Sequence, residues 1–405
     1  MQLLDVILQG VIIYFDRILN RKKFCFMRIA ILSLNPRHNY GGILQSYALK
    51  KVLEGMGHDV RVICKERHVP EFGIKQIIRW PYRLLRKLMG SKDTRIFIEH
   101  YYNKQNDRKY QNTDKFVDKY LNPRFVRSLR EIKEWEFDAF VVGSDQVWRP
   151  QYFKTQFKAE MSDAYLSFTK GWDVKRIAYA ASFGVDKWEY SEEETQRCAM
   201  LLSHFNSVSV REESGIRLCR EYLGREDVIC LCDPTILLTQ EEYEEHITPD
   251  IPSYKGNLFV YCLDVNKKLD ALVSRISKEK GLTPFSIDSK FYPNYSTDEC
   301  VKASVESWIR AFNDAEFIIT DSFHACVFSL IFHKPFVAIG NTDRGMARFE
   351  SLLTVFRQTQ RLLYSADDDF SDSIYLYVDG ADETLSQLRS KSIVFLENGL
   401  SNKYS

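Results

Sequence analysis

Short apolar runs alternate with amphipathic segments along most of this chain, and each apolar run ends at a polar or glycine-bearing loop. The first unit shows the pattern. RIAILSL is followed by a polar turn, then by ILQSYALKKVLEGMG with apolar residues at helical spacing, and then by HDVRVIC. A strand, a helix and a strand in this order require a right-handed crossover and a parallel sheet. Because the pattern occurs in two consecutive series, the sequence predicts an α/β protein with two Rossmann-like domains facing a cleft.

The two series set the expected domain boundaries. The N-terminal domain is predicted over 27–240 and the C-terminal domain over 254–370, with a polar junction containing two prolines (239–255) between them. A length of 405 residues fits two domains of usual size, about 100–200 residues each. The final stretch, 371–405, is predicted to be a tail or helix that returns to the N-terminal domain.

Two segments stand outside this alternation. Residues 1–26 are predicted to form an amphipathic helix, whose apolar part is shorter than the ~20 residues of a membrane-spanning helix. Residues 71–134 are predicted to be a helical insertion, in which 74–89 combine basic and apolar side chains. Since such faces attract anionic membrane surfaces, we expect peripheral membrane contact through 1–23 and 74–89. The alternatives are a helix docked on its own domain and a solvated helix that covers the sheet.

Overall charge and cysteine pattern exclude several classes of protein. A formal net charge of +1 argues against a protein held to nucleic acid by bulk charge. The nine cysteines are scattered, odd in number and without a CxxC pair, so neither a disulfide framework nor a structural zinc site is expected. This pattern favours a cytoplasmic protein, which would be peripheral on the inner face of the cytoplasmic membrane if the two amphipathic segments bind lipid.

Polar loops follow the predicted strands, and ligands of open α/β sheets bind beyond the carboxyl ends of the strands. None of these loops has the glycine spacing of a dinucleotide site or of a P-loop. The candidate loops are NPRHNYGG (35–42), GSDQVWRP (143–150), SFG (182–184), REESG (211–215), DPT (233–235) and TDSFH (320–324).

Seven motifs resemble, in order, those of the polysaccharide pyruvyl transferase family, over residues 27–356. They are NYGGILQSYAL, FDAFVVGSDQVW, AASFG, SVREESG, DPTILL, ITDSFHACVFSLIFHKPF and NTDRGMARF. The resemblance implies a fold like the two-domain GT-B glycosyltransferases, with no catalytic metal and no cofactor. It also implies phosphoenolpyruvate as the co-substrate, and as acceptor a hydroxyl or diol on a sugar of a glycan or lipid-linked glycan intermediate.

Two residues are predicted to be catalytic. His324 opens the helix after the strand EFIIT, where backbone amides and the helix dipole suit an anion. By resemblance, His324 contacts the donor phosphate and acts as general acid; the alternative is a helix-start residue tied to Asp321. Asp145 follows a strongly apolar strand, and its carboxylate is predicted to deprotonate the acceptor hydroxyl or to orient the sugar.

Further residues are predicted to bind substrate. Arg211 follows the strand SVSV, where a guanidinium can grip a carboxylate or phosphate with two hydrogen bonds, and the resemblance also places a donor-binding arginine in this motif. The alternative is an ion pair with Glu212 or Glu213. The other candidates share a position in a strand-end loop or beside a helix, and they are Ser322, Asn39, Gly41, Gly42, Trp148, Lys334, Arg344 and Arg348.

Several of these assignments have alternatives. Trp148 is either a platform for a sugar ring or a core residue, and the glycines after Asn39 either admit a ligand or form a plain strand-to-helix turn. Ser322 stands where some family members carry arginine, and Ala325 stands where many carry glycine. The missing arginine leaves one anion contact to be supplied by another residue, such as Arg211.

The resemblance implies ketal formation as the reaction. The methylene carbon of the enol is protonated, a sugar hydroxyl attacks, phosphate leaves, and a second hydroxyl closes the ring. The main rival is a GT-B glycosyltransferase that uses a nucleotide sugar, since fold does not fix function. The second rival is a non-catalytic, membrane-associated subunit of a glycan-assembly complex.

Overall fold

The computed structural model describes residues 26–91, 94–264, 266–287, 301–340 and 345–401. Its first sheet belongs to the N-terminal half and consists of seven strands. They are β1 (Arg28–Leu32), β2 (Asp59–Lys65), β3 (Arg124–Val126), β4 (Ala139–Val142), β5 (Lys175–Ala181), β6 (Ser207–Val210) and β7 (Ile229–Cys230). Their order is β3-β2-β1-β4-β5-β6-β7, and all described pairings are parallel. The central strand β4 is buried along its whole length, as expected for a parallel sheet with both faces covered.

The described residues of the N-terminal half form seven α-helices. They are α1 (Tyr40–Gly55), α2 (Ile74–Leu88), α3 (Ile98–Tyr120), α4 (Pro150–Phe157), α5 (Glu192–Leu202), α6 (Glu213–Leu223) and α7 (Gln240–Glu244). Local sequence explains several starts. The Asn39 side chain accepts a hydrogen bond from the Gly41 amide at the start of α1, and Ser191 and Glu194 form a reciprocal capping box on α5.

The second sheet has five strands and belongs to the C-terminal half. They are β8 (Leu258–Tyr261), β9 (Pro284–Phe285), β10 (Phe317–Thr320), β11 (Phe336–Ile339) and β12 (Leu362–Leu363). The order is β12-β11-β10-β8-β9, again with parallel pairings. Its helices are α8 (Lys267–Lys280), α9 (Val305–Asp314), α10 (Phe323–Ile331) and α11 (Ala347–Val355). Two parallel α/β sheets in succession confirm the predicted fold class.

The last helix, α12 (Ala381–Leu400), packs against the N-terminal sheet. A Cβ added at Gly399 would lie 3.0 Å from Ile177 on β5, and Arg389 donates to the carbonyl of Ile236 at 2.7 Å. The chain thus passes from the second sheet back to the first. None of the described helices is long and apolar enough to cross a membrane.

The insertion differs from its prediction in one respect. It is mainly helical, as α2 and α3, but Arg124–Val126 forms β3 and pairs with β2 at the edge of the first sheet. Charged residues around this short strand hide its β pattern, since Val126 is its only fully buried residue. Residues 1–25, including the predicted N-terminal helix, lie outside the described residues.

The strand order reverses at one point in each sheet, and these two points position the site. In the first sheet, the reversal lies between β1 and β4, and in the second it lies between β8 and β10. A crevice opens at such a point because the loops after the two strands run to opposite sides of the sheet. The loops after β1, β4, β8 and β10 all contribute residues to one cavity between the sheets.

Candidate active site

The cavity between the two reversal points has a volume of about 220 Å³. The N-terminal half contributes Leu34, Asn35, His38, Asn39, Gly42, Asp145, Gln146, Tyr152 and Gln156 to its walls. The C-terminal half contributes Leu263, Asp321, Ser322, Phe323, His324 and Arg348. Most predicted site residues therefore meet here, although they are up to about 300 positions apart in the sequence.

A larger cavity of about 420 Å³ lies elsewhere, around residues 165–173 and Arg176. Arg176 is near the amino end of β5, at the opposite edge of the sheet from the strand-end loops. None of the predicted site residues lines this cavity. Because ligands of open α/β sheets bind at the carboxyl ends, we assign the candidate site to the smaller cavity.

Two helix starts converge on the cavity. Asn39 and Ser322 occupy the N-cap positions of α1 and α10, and both residues line the walls. Amides in the first turn of a helix have no acceptor within the helix, and they carry the positive end of its dipole. No acidic residue occupies the first turn of either helix. The cavity is therefore suited to an anion at both starts.

His324 lies in the first turn of α10, and its imidazole ring packs against α1. A Cβ at Gly41 would overlap its imidazole ring, so only glycine at position 41 lets α1 approach the ring this closely. On the other side, Nε2 of His324 lies 3.5 Å from Oδ2 of Asp233. Asp321, the predicted alternative partner, accepts hydrogen bonds from the amides of Leu263 and Asp264.

Asp233 is the common partner of the buried charges. Its carboxylate accepts from Nη1 of Arg211 at 2.7 Å and from the Ser144 hydroxyl at 3.2 Å, and it also caps the turn at Thr235. Burial on its own would raise the pKa of Asp233, but His324, Arg211 and the Thr235 amide hold it well below its usual value. Asp233 is therefore a carboxylate at neutral pH, and it fixes the positions of both His324 and Arg211.

Arg211 lies behind the cavity wall and is not one of its lining residues. Its guanidinium stacks over the Phe323 ring at 4.7 Å, and Nη2 lies 3.7 Å from Oδ1 of Asp145. Nε and Nη2 have no hydrogen-bond acceptor among the described residues. Among the described residues, Arg211 forms no ion pair with Glu212 or Glu213, the predicted alternative partners, and Glu212 accepts from the Ser182 hydroxyl and the Phe183 amide.

Arg348 is the arginine that reaches the wall of the cavity. It lies 5.5 Å from the centre of the Phe323 ring, which it shares with Arg211. Burial and the nearby charge of Arg211 lower the pKa of Arg348 to about 10. Two buried guanidinium groups beside one ring repel each other, so an anion at this wall would stabilise both.

Asp145 has a left-handed backbone conformation, and hydrogen bonds within and between loops stabilise it. Its φ is +57°, in the left-handed region where aspartate is among the better tolerated residues. Its carbonyl accepts from the amides of Val147 and Ser182, which joins the loop after β4 to the loop after β5. The side chain lines the cavity beside Gly42.

The rest of the N-terminal wall is polar and neutral around one aromatic ring. Asn35, Gln146 and Gln156 provide amide groups, and Tyr152 provides a phenol ring. His38 also lines this part of the cavity, where it is exposed to solvent. Neutral donors and acceptors of this kind match sugar hydroxyls better than they match a charged group.

Two of the predicted residues, Trp148 and Lys334, lie away from the cavity. The role of Trp148 as a sugar platform is wrong for this structure, because its indole is fully buried and stacks on Tyr165 with ring centres 4.9 Å apart. The predicted substrate-binding role of Lys334 is also wrong. Lys334 follows the C-terminal end of α10, roughly 15 Å along the helix from His324. Its ammonium group donates to the Asn313 carbonyl. Arg344 lies outside the described residues.

Sequence reasoning missed Asp233 and Tyr152. Asp233 was within a recognised strand-end loop, DPT, but no pattern in the sequence shows that two cations from distant loops would meet it. Tyr152 lies one helical turn beyond Trp148, so the aromatic residue of the wall was placed four positions too early. The described part of the chain holds no group of three or more His, Cys, Asp or Glu side chains arranged to bind a metal.

Comparisons with known proteins give one family and several distant structures. The family model described as polysaccharide pyruvyl transferase matches residues 39–344. No curated protein matches the sequence.

The solved structures similar to the chain include two sugar-nucleotide enzymes. A putative UDP-N-acetylglucosamine 2-epimerase from Listeria monocytogenes is 10% identical with a TM-score of 0.45, covering 94% of this chain and 89% of that one. The UDP-GlcNAc 2-epimerase from Methanocaldococcus jannaschii is 12% identical with a TM-score of 0.42, covering 93% and 94%. Likeness at this level says nothing of the substrate of this chain.

Proposed function

The chain belongs to the polysaccharide pyruvyl transferase family, and on that premise we propose that it transfers the pyruvyl group of phosphoenolpyruvate onto a sugar of a glycan or lipid-linked glycan intermediate. In the proposed reaction the methylene carbon of the donor is protonated and becomes a methyl group. Two hydroxyls of one sugar form bonds to the central carbon, and the bond to the phosphate oxygen breaks. The two hydroxyls release two protons. One of them replaces the proton that the methylene carbon takes up, and the other leaves with phosphate.

The observation that carries the proposal is the anion-attracting end of the cavity. Phosphoenolpyruvate has two anionic groups, a phosphate and a carboxylate. The cavity offers two helix starts, the guanidinium of Arg348 at its wall and the second guanidinium of Arg211 behind it. Arg211 does not line the cavity, so its buried guanidinium adds positive charge behind the wall and makes no direct contact with the ligand. Fixed positive charge here would also stabilise the departing phosphate.

The size of the cavity supports a small donor. Pockets for drug-sized ligands usually have about 300–1,000 Å³, and this one has about 220 Å³. A three-carbon phosphate ester is closer to that size than a nucleotide sugar. The neutral wall around Tyr152 is proposed to hold the acceptor sugar, with the phenol ring replacing Trp148 as the surface on which the sugar packs.

The acid–base roles follow from the charge network. His324 touches both the cavity and Asp233, so we assign to it the protonation step or the proton transfer to phosphate. Asp145, on the facing wall, is assigned to deprotonate the attacking hydroxyl. Asp233 and Arg211 are positioning residues that hold the two. The seven described cysteines are free thiols, which supports a cytoplasmic location.

Thermal stabilisation by phosphoenolpyruvate tests the donor. At 100 times its dissociation constant, the ligand should add ~2.7 kcal/mol to the free energy of unfolding. We expect His324→Ala and Arg348→Gln to lose this shift. His246→Ala should keep it, because His246 is a buried histidine bonded to Tyr47 and not part of the cavity.

Phosphate release from phosphoenolpyruvate in the presence of hexose diols then tests the transfer. The wild type and His246→Ala should release phosphate with a suitable diol, and His324→Ala should not. Stabilisation by a UDP- or GDP-sugar alone, with none by phosphoenolpyruvate, would mean that the protein is a glycosyltransferase. Donor binding with no turnover on any diol would favour the non-catalytic subunit.

A further inference from the structure

The helix α2 contacts the rest of the protein through one narrow face. Arg83 forms a two-bonded ion pair with Glu99 on α3, at 2.7 and 2.8 Å. Trp80, one turn earlier, packs between the rings of Phe72 and Phe97, whose centres lie 5.7 and 5.3 Å away. No residue of α2 is buried, so this face is the helix's attachment to the body.

The opposite face of α2 is apolar and turned to solvent. At 100° per residue, Ile74, Ile78 and Leu85 lie within about 40° of each other and roughly 180° from Arg83. Their exposed fractions are 79%, 70% and 57%. Leu88 and Ile77 extend the same face and are also exposed. A helix that belongs to the core of its own domain would have this face inward.

A basic edge borders the apolar face. Lys75, Arg79 and Arg86 fall on one line along the helix, between the apolar face and the attachment face. None of the three has an ion pair with another described residue, and α2 contains no acidic residue. Two carboxylates close to α2 have other hydrogen-bond partners: Glu99 pairs with Arg83, and Glu71 pairs with His100 and Asn103.

We propose that α2 docks the protein on an anionic lipid bilayer, with Ile74, Ile78 and Leu85 in the interface and Lys75, Arg79 and Arg86 on the lipid headgroups. An apolar face bordered by long basic side chains has the composition of helices that lie in a membrane surface. The cytoplasmic leaflet supplies the negative charge. This docking surface goes beyond the proposed reaction and does not depend on it.

Charge argues against a second copy as the occupant. Two α2 helices packed through their apolar faces would bring six basic side chains together, Lys75, Arg79 and Arg86 from each copy, with no acidic residue of α2 to offset them. Like charges across an interface disfavour association. A bilayer of anionic lipids offers the complementary charge and an apolar layer at the same time.

Vesicle co-sedimentation of the full chain tests the docking surface. Wild-type protein should sediment with vesicles of phosphatidylglycerol and phosphatidylcholine, but not with phosphatidylcholine alone. Each basic residue near an anionic surface strengthens binding about fivefold. The triple variant Lys75→Gln, Arg79→Gln, Arg86→Gln should therefore bind on the order of 100-fold more weakly, and Ile78→Glu with Leu85→Glu should bind more weakly still.

The control removes the same charge from another helix. Lys267→Gln, Lys278→Gln and Lys280→Gln alter exposed lysines of α8 in the second domain and should bind vesicles as wild type does. Unchanged melting temperatures of all variants exclude misfolding. Equal binding of the α2 variants and the wild type would overturn the proposal. So would a wild-type dimer in light scattering that the α2 variants lose, since α2 would then be a contact between copies.

Discussion

At the scale of the residue, the site depends on the absence of a side chain at Gly41. Gly41 lies against His324, and a Cβ there would come within 2.5 Å of the Cβ of the histidine as well as overlapping its ring. Because the histidine's Cβ is fixed by α10, neither atom can move away at low cost. The ring would have to leave Asp233, or α1 and α10 would have to separate.

We therefore expect Gly41→Ala to abolish transfer and to lower the free energy of unfolding by ~1–3 kcal/mol, the usual cost of overpacking. Gly55 provides a matched control in the same helix, since a Cβ there meets nothing within 4 Å. Gly55→Ala should be neutral or stabilising by up to about 1 kcal/mol, because alanine is the better helix former. Denaturant unfolding measures the stability of the two variants, and a turnover assay measures their activity. An active Gly41→Ala enzyme would show that the position of His324 against Gly41 is not required for transfer.

Asp233 links stability to pH at the same scale. Its pKa in the folded chain lies well below the ordinary value of 3.8, so its contribution to stability is fully present above about pH 4. It is lost as the pH falls below 3.8, where the unfolded chain takes up the proton first.

Asp233→Asn should cost ~3–5 kcal/mol at pH 7, because it leaves the buried guanidinium of Arg211 without its counter-charge. The difference in unfolding free energy between wild type and variant should stay constant near neutral pH and narrow below about pH 4. Asp138→Asn, which alters a half-exposed pair with Arg28, should change stability far less. A difference that does not narrow in acid would show that the Asp233 charge is not what stabilises the site.

At the scale of the element, the loop that carries Asp233 is held by the last helix of the chain. Arg389 on α12 donates to the carbonyls of Ile236 (2.7 Å) and Leu238 (3.0 Å), just after Asp233. Arg389→Gln should therefore lower stability by about 1–3 kcal/mol and reduce turnover severalfold with little change in acceptor affinity. Gln387→Ala, on the exposed side of α12, is the control. Full turnover in Arg389→Gln would show that the contacts of α12 do not influence activity at the site.

The elements also show what a single sequence can predict. The α/β alternation and the strand-end loops followed from apolar periodicity, and four of the six candidate loops contain Asp145, Arg211, Asp233 and His324. Contacts between loops did not follow, because periodicity within a segment carries no information about distant partners. Trp148 shows the difference: its loop was predicted correctly, but its burial depends on Tyr165, which belongs to a segment with no periodic pattern. The strand β3 was missed because only one of its three residues is buried.

At the scale of the whole molecule, the two sheets share one apolar core. A single cluster of buried side chains runs from β1 and α1 to β8, α9 and α10. At the junction Tyr40 stacks on Trp308 with ring centres 5.7 Å apart and donates to the Ala303 carbonyl at 3.0 Å. Domains joined by a large hydrophobic interface do not move as independent bodies. The cleft is therefore held at the spacing seen here by the same contacts that stabilise the fold.

The shared core predicts that the two domains unfold together. In scanning calorimetry we expect one transition, whose calorimetric and van't Hoff enthalpies agree. Phosphoenolpyruvate should move this whole transition, because its proposed site has walls from both sheets. Tyr40→Phe removes one hydrogen bond across the junction and should lower the transition temperature without splitting it, while Trp308→Ala, which opens a large cavity in the shared cluster, should cost ~3–5 kcal/mol. Two separate transitions in the wild type, with only one of them moved by the ligand, would mean that the junction is weak and that the donor binds one domain alone.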